Sequence, residues 1–143
     1  NNKAVVEKHY KDENKTSSII EFSNKMHDLY EWSDIIISRA GSMTITEISK
    51  AGRAAILVPY LYATDNHQYV NARYLANNEA AIIIEENDYF ERELYETLGA
   101  LHHNQERLSK LSINCKNLFP DNSSGIILNN ITELDEKFNN TTS

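Results

Sequence analysis

The sequence predicts an α/β fold, a parallel sheet with helices on both faces. Short runs of β-branched or small apolar residues, typical of buried strands, occur at 35–37, 54–59 and 80–84. Stretches of about ten residues with helical patterns separate them, as a parallel sheet requires. In such sheets ligands collect at the carboxyl ends of the strands, so the loops after these runs are where a site is expected.

Composition narrows the class of protein. With 143 residues, 41% of them hydrophobic, the chain is long enough for one domain with a buried core. A net charge of −7 argues against nucleic acid or an anionic membrane as its main partner. The single cysteine, Cys115, excludes an internal disulfide and fits a reducing compartment. Because the first residue is not Met, we expect a fragment.

The remaining elements follow from periodicity and from helix start and stop signals. Helices are predicted at 3–11, 24–32, 44–51, 67–77, 88–99, 104–117 and 123–137, and a further short strand at 18–22. Ile35, Ile36 and Ile37 predict a strand buried on both faces, and Gly52 a helix C-cap. Residues 1–138 are thus one domain, followed by a disordered tail at 139–143.

The segment 34–47 carries the strongest functional signal. Its strand leads into Gly41, which allows a turn that a residue with a Cβ would resist, and then into a helix capped by Ser42 or Thr44. A helix N-terminus after such a turn binds anions through free backbone N–H groups. Glu47 would repel a phosphate, but it can accept two hydrogen bonds from a ribose diol. Together these features suggest a nucleotide.

A capping box is the competing interpretation of the same residues. In the pattern from Thr44 to Glu47, the carboxylate can simply reach back to the N–H group of the cap residue. Such boxes are common, so these residues alone leave both interpretations open.

A second polar cluster follows the strand at 54–59. His67 and Gln68, with Asn71 one turn later, offer neutral donors and acceptors suited to sugar hydroxyls. The alternative is an ordinary helix start, with Asp65 or Asn66 as its cap. None of the five histidines has a convincing metal-binding spacing, so no metal site is predicted.

An ordered set of residues resembles a known family. The pattern comprises Phe22-x-x-x-Met26, Tyr30, Asp34, Arg39-Ala-Gly41-x-x-Thr44-x-x-Glu47, Gly52, Pro59 and Asp65-x-His67-Gln68-x-x-Asn71-Ala72. Over about residues 5–135 it resembles the C-terminal domain of MurG-type UDP-N-acetylglucosamine transferases, which complete the peptidoglycan precursor lipid II. The resemblance implies half of a GT-B enzyme, built from two Rossmann-like domains. It also implies that the family's Gly-rich loop, first strands and N-terminal domain are missing here, which would leave a sheet edge unpaired.

The resemblance assigns the nucleotide part of the donor site by position. The backbone of Ser23 would pair with uracil. The segment 42–46 would present N–H groups and a hydroxyl to the diphosphate and the sugar; its members are Ser42, Met43, Thr44, Ile45 and Thr46. Glu47 would hold the ribose hydroxyls, which favours the ribose interpretation over the capping box.

The sugar side of the donor site is assigned in the same way. Gln68, helped by His67, would read the GlcNAc hydroxyls, and Arg39, Gly41 and Asn71 would support the site. The chain departs from the family at Ser23, where an apolar residue is usual. It departs again at 53–54, where an apolar residue and Pro are usual, and at 78–79, where Gly is common.

The implied function is donor binding in an inverting transfer of GlcNAc from UDP-GlcNAc to lipid I, without a metal or another cofactor. The acceptor lipid and the cytoplasmic face of the inner membrane would be contacted through the missing half. No catalytic residue is expected in this chain, which alone should not catalyse the transfer.

The alternative function is a non-catalytic nucleotide-sugar-binding module that is active only with a partner chain, as in split GlcNAc transferases. A flavodoxin-like signalling domain is disfavoured because a phosphoacceptor acidic cluster is absent.

Overall fold

The computed structural model describes the backbone of residues 2–13, 16–60 and 66–119. Its elements are α1 (Asn2–Asp12), α2 (Met26–Trp32), β1 (Ile35–Ser38), α3 (Ser42–Ala51), β2 (Ala54–Leu57), α4 (His67–Asn77), β3 (Ala81–Ile83), α5 (Phe90–His102) and α6 (Gln105–Leu118). The predicted helix at 123–137 and the predicted tail at 139–143 lie outside the described residues. Among the described helices, none is both long enough and apolar enough to span a bilayer.

The three strands form one parallel sheet in the order β1-β2-β3. Ile36 lies opposite Ala55, which in turn lies opposite Ala81, so the three strands are paired along nearly their whole length. The central strand β2 is buried along its whole length. Because every connection between these parallel strands contains a helix, the predicted α/β fold with a parallel sheet is confirmed.

Alternate residues of the sheet face two apolar clusters, one on each face. Ile36, Ala55 and Leu57 pack with residues of α3 and α4, while Ala54 and Ile56 pack with α5 and α6. Helix α6 joins both clusters, since its Leu111 belongs to the second and its Cys115 to the first. The predicted helices on both faces of the sheet are therefore present.

Two strand predictions are wrong. Residues 18–22 form no strand; Ile20 is 53% exposed and Phe22 86%, and no described strand lies beside them to pair with their backbone. The strand β1 is not buried on both faces, because Ile37 is 44% exposed. β1 has a partner on only one side within the described residues, and an outer strand is covered less well than a central one.

Candidate functional site

The carboxyl ends of all three strands meet at Arg39, which directly follows β1. Its Nη1 donates a hydrogen bond to the Val58 carbonyl oxygen, after β2, at 3.2 Å. Its Nη2 pairs with the Glu86 carboxylate, after β3, at 2.7 Å. The guanidinium also lies over the Tyr60 ring, 5.6 Å from its centroid. Arg39 thus links the ends of the three strands, and its charge is paired with that of Glu86.

Helix α3 begins at Ser42 with an uncapped N-terminus. Gly41 is the N-cap, no side chain bonds to the cap, and the first intrahelical bond runs from the Ile45 N–H group to the Gly41 carbonyl oxygen at 3.0 Å. The prediction that Ser42 or Thr44 caps this helix is therefore wrong. The N–H groups of the first turn, on Ser42, Met43 and Thr44, have no acceptor within the helix. They lie at its positive end, where an anion is stabilised.

Gly41 has an ordinary backbone conformation, with φ −66° and ψ 145°. A Cβ added there would come no closer than 3.7 Å to another protein atom, the Thr44 Oγ1. The expectation that this turn requires glycine for conformational freedom is therefore wrong. What the missing side chain leaves is open space beside the first turn of α3.

Glu47 lies on α3 beyond its first turn, too far along the helix to serve as a capping residue. Its Oε2 instead accepts a hydrogen bond from the hydroxyl of Tyr30, on α2, at 3.3 Å. The capping-box interpretation is therefore wrong. Glu47 is exposed, and Met43, one turn earlier on the same side of the helix, is 77% exposed. The carboxylate thus faces solvent on the side of α3 that continues to its open N-terminus.

Two other residues predicted to contact the ligand make contacts within the protein instead. The side chain of Ile45 is fully buried in the core, and its N–H group bonds to Gly41. The hydroxyl of Thr46 donates to the Ser42 carbonyl oxygen at 2.9 Å, one turn back along the helix. Neither the Ile45 side chain nor the Thr46 hydroxyl proton is left for a ligand in this conformation.

The first turns of α4 lie against the same edge of the sheet. Asn71 is buried and its Nδ2 donates to the Ala40 carbonyl oxygen at 3.0 Å, which fixes α4 to the loop before α3. Gln68 lies one turn earlier, and its Oε1 accepts from the Tyr60 N–H group at 3.0 Å. Because that group can only donate, the Gln68 amide is oriented by its surroundings and its NH₂ group points elsewhere.

The other residues of this cluster fit the prediction less closely. His67 is exposed at the start of α4, and the N-cap Asn66 makes no side-chain cap bond. Ser23 is not joined to the cluster by any hydrogen bond of the described residues. Its hydroxyl accepts from the Lys25 N–H group at 3.0 Å, a contact within the same loop.

Three residues outside the predicted set shape this site. Tyr30 holds Glu47, Tyr60 holds Gln68, and Glu86 holds Arg39. Of these three, only Tyr30 could have been suspected from the sequence, because a tyrosine on the apolar face of a helix needs a hydrogen-bond partner for its hydroxyl. Among the described residues, no group of three His, Cys, Asp or Glu side chains is arranged to hold a metal ion.

A comparison with known protein families identifies the family of this chain. Residues 1–124 match the model of the glycosyltransferase family 28 C-terminal domain. The chain belongs to this family. The family 28 match spans nearly all of the chain and includes every residue of the predicted site.

Individual relatives carry one functional name. The chain is 42% identical over 96 residues to a protein of Haemophilus ducreyi and 40% identical over 103 residues to one of Methylococcus capsulatus. Both are named UDP-N-acetylglucosamine–N-acetylmuramyl-(pentapeptide) pyrophosphoryl-undecaprenol N-acetylglucosamine transferase. These alignments cover 67% and 72% of this chain, but only 27% and 29% of the relatives.

A solved structure extends the comparison to the fold. The crystal structure of Acinetobacter baumannii MurG superposes with a TM-score of 0.68 at 31% identity, covering 84% of this chain and 34% of that protein. The described sheet and helices therefore have the Rossmann-like architecture of the C-terminal domain of a GT-B enzyme. The chain spans about a third of the length of the proteins it resembles.

Proposed function

We propose that this chain is the donor-binding part of a transferase that moves N-acetylglucosamine from UDP-GlcNAc to a lipid-linked muramyl-pentapeptide acceptor in peptidoglycan synthesis. The observation that carries the proposal is the free N-terminus of α3 with Glu47 beside it. Unpaired N–H groups at a helix N-terminus suit a diphosphate, and a nearby carboxylate that is not a cap suits a ribose. The match to the family 28 domain supports this assignment.

Each part of the donor has a matching group in this arrangement. The N–H groups of Ser42, Met43 and Thr44 bind the diphosphate, with Gly41 leaving room for it. Glu47 accepts hydrogen bonds from the ribose hydroxyls. The diphosphate cannot occupy the position of that carboxylate because like charges repel. Uracil then lies toward α2, where the backbone of Ser23 is offered to it.

The sugar lies on the α4 side of the site. The amide NH₂ of Gln68 donates to GlcNAc hydroxyls, since its oxygen is bound to Tyr60. His67 adds a second polar group at the start of α4. Asn71 and Arg39 hold the two loops in place, through Ala40 and through the strand ends.

The chemical contribution of this chain is electrostatic. When the glycosidic bond to UDP breaks with inversion, negative charge grows on the leaving diphosphate. The positive end of α3 stabilises that charge without needing to rearrange. In this proposal, the acceptor-lipid site, the general base and contact with the cytoplasmic face of the inner membrane are assigned to parts of a full-length transferase that this chain does not span.

Calorimetric titration of the 143-residue chain with UDP and UDP-GlcNAc tests the proposal. Charge-assisted hydrogen bonds contribute about 1.5–3 kcal/mol each, so Glu47→Gln should raise the Kd for both ligands about tenfold or more. Its melting temperature should stay unchanged, because Glu47 does not cap α3. The matched control is Glu96→Gln, which removes one exposed negative charge from α5. A wild-type chain that does not bind UDP, or normal affinity in Glu47→Gln, would contradict the proposal.

A further inference from the structure

The hydroxyl of Tyr30 reaches Glu47 from a separate helix. The two residues are 17 positions apart, and the bond from Oη to Oε2 is 3.3 Å long. The proton of this bond belongs to Tyr30, because an ionised carboxylate can only accept. At this length the bond is weaker than a typical O–H···O bond of about 2.7–2.8 Å, so its loss should change the stability of the fold little.

Tyr30 is anchored much more firmly than the residue it contacts. Its side chain is 9% exposed and belongs to the apolar cluster beneath α3, whereas Glu47 is exposed. The Tyr30 carbonyl oxygen accepts from the Ser33 hydroxyl at 2.9 Å, which closes the end of α2. The carbonyl of the next residue, Glu31, accepts from the Arg53 guanidinium. The Tyr30 hydroxyl is therefore held in a fixed position, and the exposed Glu47 side chain is the partner that it orients.

The environment of Tyr30 keeps it a donor. Burial raises the pKa of its phenol, and the nearby charge of Glu47 and the hydrogen bond to it raise the pKa further. The phenol consequently retains its proton throughout the neutral range. With Oε2 held on the α2 side, Oε1 of Glu47 is the oxygen left without this contact.

We propose that Tyr30 is a positioning residue, which holds the Glu47 carboxylate in the orientation that accepts the hydroxyls of a ribose. Without the phenol, Glu47 would sample several rotamers in water and would have to be ordered when the nucleotide binds. The inference rests on the proposed function and adds a determinant of specificity to it. The chain should prefer ribonucleotides to 2′-deoxyribonucleotides, and part of that preference should depend on a residue that does not contact the ligand.

The variant Tyr30→Phe isolates the hydroxyl. The ring stays in the core, and loss of the proton donor leaves no buried acceptor, because Glu47 is in contact with water. The variant should therefore fold, with a melting temperature within a few degrees of wild type. Tyr74→Phe is the matched control, since Tyr74 packs against the same core cluster from α4, with its ring edge on Phe119.

Five proteins are titrated with UDP and with 2′-deoxy-UDP: wild type, Tyr30→Phe, Glu47→Gln, the double variant and the control Tyr74→Phe. Tyr30→Phe should weaken UDP binding about threefold to tenfold and leave 2′-deoxy-UDP binding nearly unchanged. In the Glu47→Gln background, Tyr30→Phe should have no further effect, because the carboxylate that it orients is gone. Tyr74→Phe should bind both nucleotides as wild type does.

The outcomes separate this inference from the function on which it rests. If wild type binds UDP and Glu47→Gln weakens it, but Tyr30→Phe binds normally or loses both nucleotides equally, the positioning role is overturned and the donor site stands. Additive losses in the double variant would also overturn it. If wild type does not bind UDP, both proposals fall.

Discussion

At the scale of single residues, this site is built from pairs in which a buried or backbone group orients a side chain that solvent can reach. Tyr30 orients Glu47, and the Tyr60 N–H group orients Gln68. The oriented side chain of each pair, the exposed Glu47 or the half-buried Gln68, is the one proposed to touch the ligand. Such arrangements reduce the loss of side-chain entropy on binding, which is a general route to affinity without new contacts.

The variant Gln68→Glu tests whether the NH₂ group of the amide donates a hydrogen bond to the sugar. A carboxylate still accepts from the Tyr60 N–H group but has no hydrogen to donate to sugar hydroxyls. We expect affinity for UDP-GlcNAc to fall about fivefold or more, because the donor to the sugar is lost. The added negative charge should weaken both ligands to the same smaller extent, so affinity for UDP should fall less. Calorimetric titration with both ligands measures the difference. Equal losses for the two ligands would place Gln68 at the nucleotide instead.

The residue types at the site could be predicted from the sequence, but their partners could not. Glu47, Gln68 and Asn71 stand out because polar residues follow strands at fixed spacing. The bond from Tyr30 to Glu47 depends on how α2 packs against α3, which no local sequence pattern predicts. The same holds for the contact of Asn71 with Ala40, which is 31 positions away.

At the scale of elements, α3 organises the site, and glycine has a different role at each of its ends. At the C-cap, Gly52 has φ +61°, and a Cβ there would lie 3.1–3.4 Å from the Lys116 side chain. This is the left-handed conformation that the sequence predicted for a C-cap. At the N-cap, Gly41 has a conformation open to any residue, so the same residue type is a stop signal at one end only.

Alanine substitution at the two glycines should separate stability from binding. Gly52→Ala forces a Cβ into a left-handed conformation and should cost about 1–2 kcal/mol, lowering the melting temperature by roughly 3–8 °C. Gly41→Ala should shift it by less than about 2 °C, because loss of a favoured cap and reduced freedom of the unfolded chain offset each other. Its Cβ would, however, occupy the space beside the first turn of α3 and weaken UDP binding several-fold. Thermal unfolding and titration of both variants measure these effects. Normal UDP affinity in Gly41→Ala would remove the diphosphate from this position.

The described helices were predictable because their patterns are long and periodic. The bounds of α4 agree with the prediction to the residue, and α3 begins two residues earlier than predicted. The prediction at 18–22 was wrong because a short run of β-branched and aromatic residues indicates a strand only when a neighbouring strand is available to pair with it. The exposure of Ile37 has the same origin, since three isoleucines in a row cannot reveal that their strand is an outer one.

At the scale of the whole molecule, α6 ties the two layers together. It passes the residues that precede β2 and β3, as Lys116 lies against Gly52 and the Asn114 Nδ2 donates to the Glu79 carbonyl oxygen. Helix α6 thus runs along the end of the sheet opposite the proposed site.

Cys115, in the last turn of α6, can be used to measure how firmly this helix is attached. The Ser49 hydroxyl donates to the Ile45 carbonyl oxygen at 2.7 Å, so the thiol is the donor in the 3.3 Å contact between Cys115 and Ser49. Burial raises the pKa of the thiol, and the contact with Ser49 lowers it by less. The folded state therefore keeps its proton to a higher pH than the unfolded state. The stability from this group is fully present below the ordinary thiol pKa and is lost as the pH rises through the folded-state value.

Thiol labelling follows from this placement. Cys115 is fully buried, protonated at neutral pH and the only cysteine in the chain, so its reaction with a disulfide reagent requires α6 to separate from α3. We expect labelling at pH 8 to be at least about a hundredfold slower in buffer than in concentrated urea, because only opened molecules expose the thiol. The matched control carries Cys115→Ser and Asn117→Cys, which moves the thiol to an exposed position on the same helix. That control should react at nearly the same rate in both conditions. Rapid labelling of the native wild-type chain would mean that α6 does not hold the two layers together, and the packing described here would be wrong.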